Sequence, residues 1–359
     1  MSEAAGIVDW GVAAGIGNAL AGTNPDPGPD PGRTRRTCEK ALRRVLAYTA
    51  LEPIAQVPEV ELVSRRDWIG SNLVHMRELA APLESRAAAE IRLPWVLGGL
   101  TRAALGTTAG AEVGALLGYA SRRVLGQYQM ALTAADSPPR MLLIAGNLDE
   151  AARRLRVDAN RFLLWVAIHE QTHSIQFAAV PWLRDHLADL IGRLLESASR
   201  GIDLEAVQAL AKRLISQDPR KVGQDLLRGE LSRALAGPEQ AAILDSLQAV
   251  MAVIEGYAEH VMDAAATADD GLAGMRLAMD RRRRQSSGLA DLIVKALGMG
   301  MKMRQYELGK TWSDAVAQHT GIDGLNRVWS APEALPSLSE LETPELWLAR
   351  ITSSSPAAA

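Results

Sequence analysis

One pentapeptide constrains this chain more than any other feature: His169-Glu170-Gln171-Thr172-His173. It follows an unbroken apolar run, Phe162 to Ile168, and the combined stretch has clear helix limits. Asp158 stands in the N-cap position and Pro181 bars continuation, so the spacing predicts one helix between them. Residues four apart on a helix differ by about 40° in direction and about 6 Å in height. Both imidazoles therefore reach one metal ion from one face. Glu170 is turned about 100° from His169, close to such a metal without having to bind it, and free to take a proton from a coordinated water. Chance alone puts this pattern in roughly one chain in 150 to 200 of this composition.

Catalytic zinc takes three protein ligands and keeps one position open. A continuation with Gly at 176 and His at 179 would supply the third, but the residues there are Gln176 and Ala179. The single cysteine, Cys38, lies in a distant N-terminal segment with no supporting motif. A carboxylate on a later helix remains. Glu255, Glu259 and Asp263 recur every four residues within Glu255-Gly-Tyr-Ala-Glu-His-Val-Met-Asp263, between apolar flanks. Three acids sharing one face repel one another unless a cation or hydrogen bonds compensate. His260 and Tyr257 turn roughly 140° and 200° from Glu255 and are expected to point away from it.

Other chemistries are excluded. Gly309-Lys310-Thr311 ends like a phosphate loop, but its first glycine would have to be residue 304, which is Arg304. No Gly-x-Ser-x-Gly elbow exists. The formal charge of −3 argues against nucleic acid as a partner, and the run Arg281–Arg284 reads as a solvated or ion-paired face. One cysteine excludes an intramolecular disulfide. The N-terminus has no basic segment before an apolar stretch, so no signal peptide is expected and the location is read as cytoplasmic. No membrane span is expected. The most apolar candidate, Ala103 to Ser121, carries Glu112 and places Gly106, Gly110, Gly114 and Gly118 on one helical face, as if for the close approach of another backbone.

With 359 residues, 48% of them apolar, the chain is long enough for a large core. Helices are expected around Asp9–Ala21, Arg33–Leu51, Ser64–Glu90, Leu183–Ser197, Leu204–Ser216, Val222–Leu235 and Pro238–Ala265. Gly22 to Gly32, rich in proline and glycine, reads as a loop. The strand candidates are Gln127–Thr133 and Met141–Gly146, on either side of the turn Asp136-Ser-Pro-Pro139. The expected organisation is an N-terminal helical region, 1–123, then a metal-binding region, 124–350, and a frayed tail, 351–359. Within the second region, residues 182–237 form a helical insertion between the histidine and glutamate helices.

The pair HExxH and Glu-Gly-x-Ala-Glu resembles the gluzincin peptidases, in which the Glu before the Gly is the third zinc ligand. The resemblance implies His169, His173 and Glu255 as zinc ligands and Glu170 as general base, with Glu259 the alternative ligand. Glu259 or Asp263 would then orient a histidine through its free ring N–H. Typical members keep the two motifs about twenty residues apart, whereas 81 residues lie between His173 and Glu255 here. The chain also resembles, over nearly its whole length, a bacterial family of zinc-metalloprotease-like proteins often labelled as associated with deazaflavin coenzyme biosynthesis. Val8-Asp-Trp10, Leu163–His173, Glu255–Asp263, Arg304-Gln-Tyr-Glu-Leu-Gly309, Leu325-Asn-Arg-Val-Trp329 and Pro332–Pro336 carry that likeness.

Together these imply a mainly α, zincin-like fold with one small β-sheet, and a zinc metallohydrolase acting on a peptide or other amide. The alternatives are a hydrolase of a non-peptide amide and a non-catalytic zinc-stabilised scaffold or binding protein. Tyr306 is the candidate for stabilising the oxyanion, and Met141–Gly146 the candidate edge strand for pairing with an extended substrate.

Overall fold

A computed structural model describes residues 8–23, 28–90, 95–130, 137–199, 238–267, 272, 275–277 and 300–353. The expected helices Leu204–Ser216 and Val222–Leu235, and the run Arg281–Arg284, lie outside the described residues. The chain divides into two compact units. One comprises residues 1–41 and 57–170, the other 42–56 and 171–359.

The first unit is built around a small sheet with helices α1 (Trp10–Leu20), α3 (Arg65–Glu90), α4 (Trp95–Ser121) and α5 (Ala145–Leu155), and the leading part of α2 (Pro31–Thr49). Among the described residues the sheet has three strands: β1 (Val60–Val63), β2 (Gly126–Gln129) and β3 (Arg140–Ile144), in the order β1-β3-β2. Strand β1 runs parallel to β3, with Val60 opposite Met141. Strand β2 runs antiparallel to β3, with Gly126 opposite Leu143. Met141 to Ile144 are all at most 1% exposed, which is why this strand reads as a continuous apolar run rather than an alternating one.

This topology corrects two expectations. Met141–Gly146 is not an edge strand: β3 is the central strand, paired on both sides, and Ala145 and Gly146 already belong to α5. The antiparallel edge is β2. Strand β1 has no sequence signature, since four residues, Val-Glu-Leu-Val, are too few to show a period.

The glycine stripe of α4 does bring another backbone close. A Cβ at Gly110 would lie 2.3 Å from the Asp9 carbonyl oxygen, and one at Gly114 2.5 Å from that of Ala13. Helix α1 is the partner, and Asp9 caps it through the Val12 amide at 3.0 Å. Beneath them Trp68, Ile69, Leu117, Leu142 and Ile144 pack into one apolar cluster. Asn147, 2% exposed, ties this layer together. Its amide donates to the carbonyls of Ser121 at 2.7 Å and Val124 at 2.6 Å, and its oxygen accepts from buried Arg65 at 2.7 Å.

Helix α6 (Ala159–Ala179) continues from the first unit into the second, capped by the Asp158 carboxylate on the Arg161 amide at 2.9 Å. The second unit adds α7 (Pro181–Ser199), α8 (Pro238–Thr267), α9 (Gly300–Asn326), and two short C-terminal helices, α10 (Leu338–Glu342) and α11 (Pro344–Ser353). Helices α8 and α9 cross with backbones nearly touching: a Cβ at Gly309 would lie 1.9 Å from the Ala252 carbonyl oxygen, and one at Gly256 2.1 Å from the Gly309 carbonyl carbon. Among the described residues only the Pro238–Ala265 stretch of α8 is long and apolar enough to cross a membrane, and half of its apolar window is buried inside the protein.

The signature segments after α8 are its packing partners. Tyr257 is fully buried, donates to Asn326 at 2.7 Å and meets Trp329 edge-on, with ring centres 5.4 Å apart. Asn326 in turn donates to the Thr49 carbonyl at 2.7 Å. Trp312 and Trp347, both fully buried, also meet edge-on, and the Trp347 indole donates to the Ala334 carbonyl at 2.7 Å.

Candidate metal centre

Helix α6 presents His169 and His173 one turn apart, and α8 presents Glu255. One ligand atom from each of the three lies within 4.8 Å of the other two. Nε2 of His173 is 3.6 Å from Oε2 of Glu255. That is too long for a hydrogen bond but close to the separation of about 3.3 Å expected for two ligands around a tetrahedral zinc. Two imidazoles and one carboxylate are also the donor types that zinc takes in hydrolytic sites. The residues fit the ion.

Glu170 is 5% exposed. Its carboxylate lies against the first residue of the edge strand β2, where a Cβ added to Gly126 would sit 2.7 Å from both Cγ and Oε1. Only a glycine lets strand and carboxylate approach this closely. Cys38 is buried near the same carboxylate, and burial first, then the charges of Glu170 and Glu39, push its thiol up to about 12. It stays protonated and is not part of the His169–His173–Glu255 group.

One contact was invisible in the sequence. Gln176, fully buried, places Oε1 2.9 Å from Nδ1 of His173 and donates from Nε2 to the Ile254 carbonyl at 3.0 Å. In the sequence it stood only as the residue that breaks a longer zinc motif. A polar side chain one turn after the second histidine was the available signal.

Beside these residues runs a network of charges. Glu259, 2% exposed, accepts from Arg276 at 2.6 Å, and Arg276 also pairs with Asp263. Lys310 bridges Asp263, at 2.8 Å, and Asp314. Asp314 lies 2.8 Å from Nδ1 of His260, whose Nε2 lies 2.7 Å from the Tyr48 hydroxyl. Burial raises the Asp314 pKa, but hydrogen bonds from His260 and Lys310 outweigh it and hold it below the usual carboxylate value. The repulsion expected among the acids of α8 is thus relieved by cations on other segments. His260 and Tyr257 meet Tyr48, Asp314, Asn326 and Trp329, as expected of side chains turned away from Glu255. Tyr306 falls on α9, but its side chain lies outside the described residues.

A family model described as zincin-like metallopeptidase matches residues 8–348. The chain belongs to that family. Its zincin-like fold is shared with a crystal structure of a "putative hydrolase with a novel fold" from Chloroflexus aurantiacus, at TM-score 0.70 and 24% identity, covering 97% of this chain and 100% of that one. No curated protein matches. Membership implies a bound metal. It also makes the His169–His173–Glu255 group a candidate for the metal that zincin-like proteins hold.

Proposed function

We propose that this zincin-like protein is a zinc-dependent peptidase in which His169, His173 and Glu255 hold the ion and Glu170 is the general base. The observation that carries the reading is the convergence of three ligand atoms within 4.8 Å, with Glu170 on the same helix as both histidines. When bound, zinc supplies Lewis acidity that lowers the pKa of water and polarises a carbonyl. Glu170 takes the water proton on its carboxylate and delivers it to the departing amine. Its near-complete burial limits competing solvent. Strand β2 is an outer strand of the sheet among the described residues and its first residue lies against Glu170, so an extended peptide adding to that strand passes beside the base.

The test is Glu170→Gln, which keeps the shape of the side chain and removes its basicity. Zinc content stays at the wild-type level, while turnover of a peptide library falls by at least about 100-fold. Wild-type turnover in this variant contradicts the mechanism.

A further inference from the structure

We infer that Gln176 is a positioning residue that sets the tautomer of His173 and thereby selects Nε2 as the atom His173 offers to a metal. The inference rests on the reading of His173 as a ligand and adds the residue that prepares it.

The Ile254 carbonyl only accepts hydrogen bonds, so the Gln176 atom 3.0 Å from it is the amide nitrogen. The Gln176 oxygen therefore faces Nδ1 of His173, at 2.9 Å. That oxygen also only accepts, so Nδ1 carries the hydrogen. A neutral imidazole has one N–H, which leaves the lone pair on Nε2. Nε2 is the atom that lies 3.6 Å from the Glu255 carboxylate. Gln176 is fully buried, and no exposed face of it lets solvent exchange for either partner.

The same side chain performs a second task. Ile254 immediately precedes Glu255, so the Gln176 amide holds the α8 backbone at the point where the third ligand leaves it. One glutamine fixes the ring of one ligand and the helix position of another, across the long interval between the two motifs. Leucine at 176 supplies neither bond. Glutamate supplies the acceptor for Nδ1 but turns a carboxylate oxygen toward the Ile254 carbonyl.

Long-range 1H–15N NMR of histidine-labelled, metal-free protein reads the tautomer directly. The expected spectrum shows His173 with hydrogen on Nδ1 in wild type and in Gln176→Glu, and with that preference lost in Gln176→Leu. Competition with a chromophoric chelator should show zinc bound about 10- to 100-fold more weakly by Gln176→Leu. A neutral wild-type His173 carrying its hydrogen on Nε2 overturns the inference, as does a folded Gln176→Leu with wild-type zinc affinity. Should Gln176→Leu not fold, the wild-type tautomer decides the matter alone. Wild-type protein that takes up no zinc defeats the ligand reading instead, while the tautomer measurement still stands.

Discussion

His173 and Glu255 are separated by 81 residues, yet Nε2 of one lies 3.6 Å from Oε2 of the other. Two contacts bear on that distance. Gln176 reaches from α6 to the carbonyl just before Glu255, and Gly256, just after it, lies against Gly309 of α9. The geometry of this candidate site, built from distant segments, depends on such ties.

Gly309→Ala should be costly. The new Cβ would meet backbone at 1.9 Å, which no side-chain rotation relieves. Overpacking of this kind costs about 1–3 kcal/mol, and here the upper end is expected. Urea denaturation should show it, and zinc affinity should fall as α8 shifts. Gly70→Ala, whose Cβ meets nothing within 4 Å, is the matched control and should gain up to about 1 kcal/mol.

Gly126→Ala should act on Glu170, the proposed base, rather than on stability. Its Cβ would press on the Glu170 side chain at 2.7 Å, and a side chain yields where backbone does not. Turnover is expected to drop at least about tenfold, with zinc content and melting temperature close to wild type. Unchanged turnover would mean that Glu170 is not held against β2 during catalysis.

Asn147→Leu removes three hydrogen bonds at once, two of them buried, and leaves the side chain of Arg65 with fewer partners. A loss of about 3 kcal/mol is expected in chemical denaturation. A loss below about 1 kcal/mol would mean that other groups take over those bonds.

The histidine helix was legible because cap, apolar run and terminating proline all agree, and the structure places α6 at Ala159–Ala179. The glycine stripe of α4 was legible for a similar reason: a fixed spacing has one steric meaning. Strand β1 was not, because four residues carry no period. The edge of the sheet was not legible either. An apolar run marks burial on both faces and thus a central strand, but without β1 in view Met141–Ile144 had only one visible neighbour. Gln176 escaped because its importance lies in the Ile254 carbonyl, a backbone atom 78 positions away that no side-chain pattern announces.

The buried thiol of Cys38 gives the folded protein an alkaline limb. Its pKa is raised from 9.0 to about 12 in the fold, so the unfolded chain releases the proton first. The contribution to stability is full below about pH 9 and is lost as pH rises toward about 12, at no more than about 1.4 kcal/mol per pH unit. Denaturation midpoints of wild type and Cys38→Ala, compared from pH 8 upward, should converge as the pH rises. A constant gap would show that the thiol does not titrate differently in the two states.

The most direct test of the metal site is zinc content by plasma mass spectrometry on wild type, His169→Ala and Glu255→Ala, each purified without chelator. The expected result is about one zinc per wild-type chain, lost from both variants. Wild-type protein with no zinc, and none taken up on titration, would contradict the site and the peptidase reading with it.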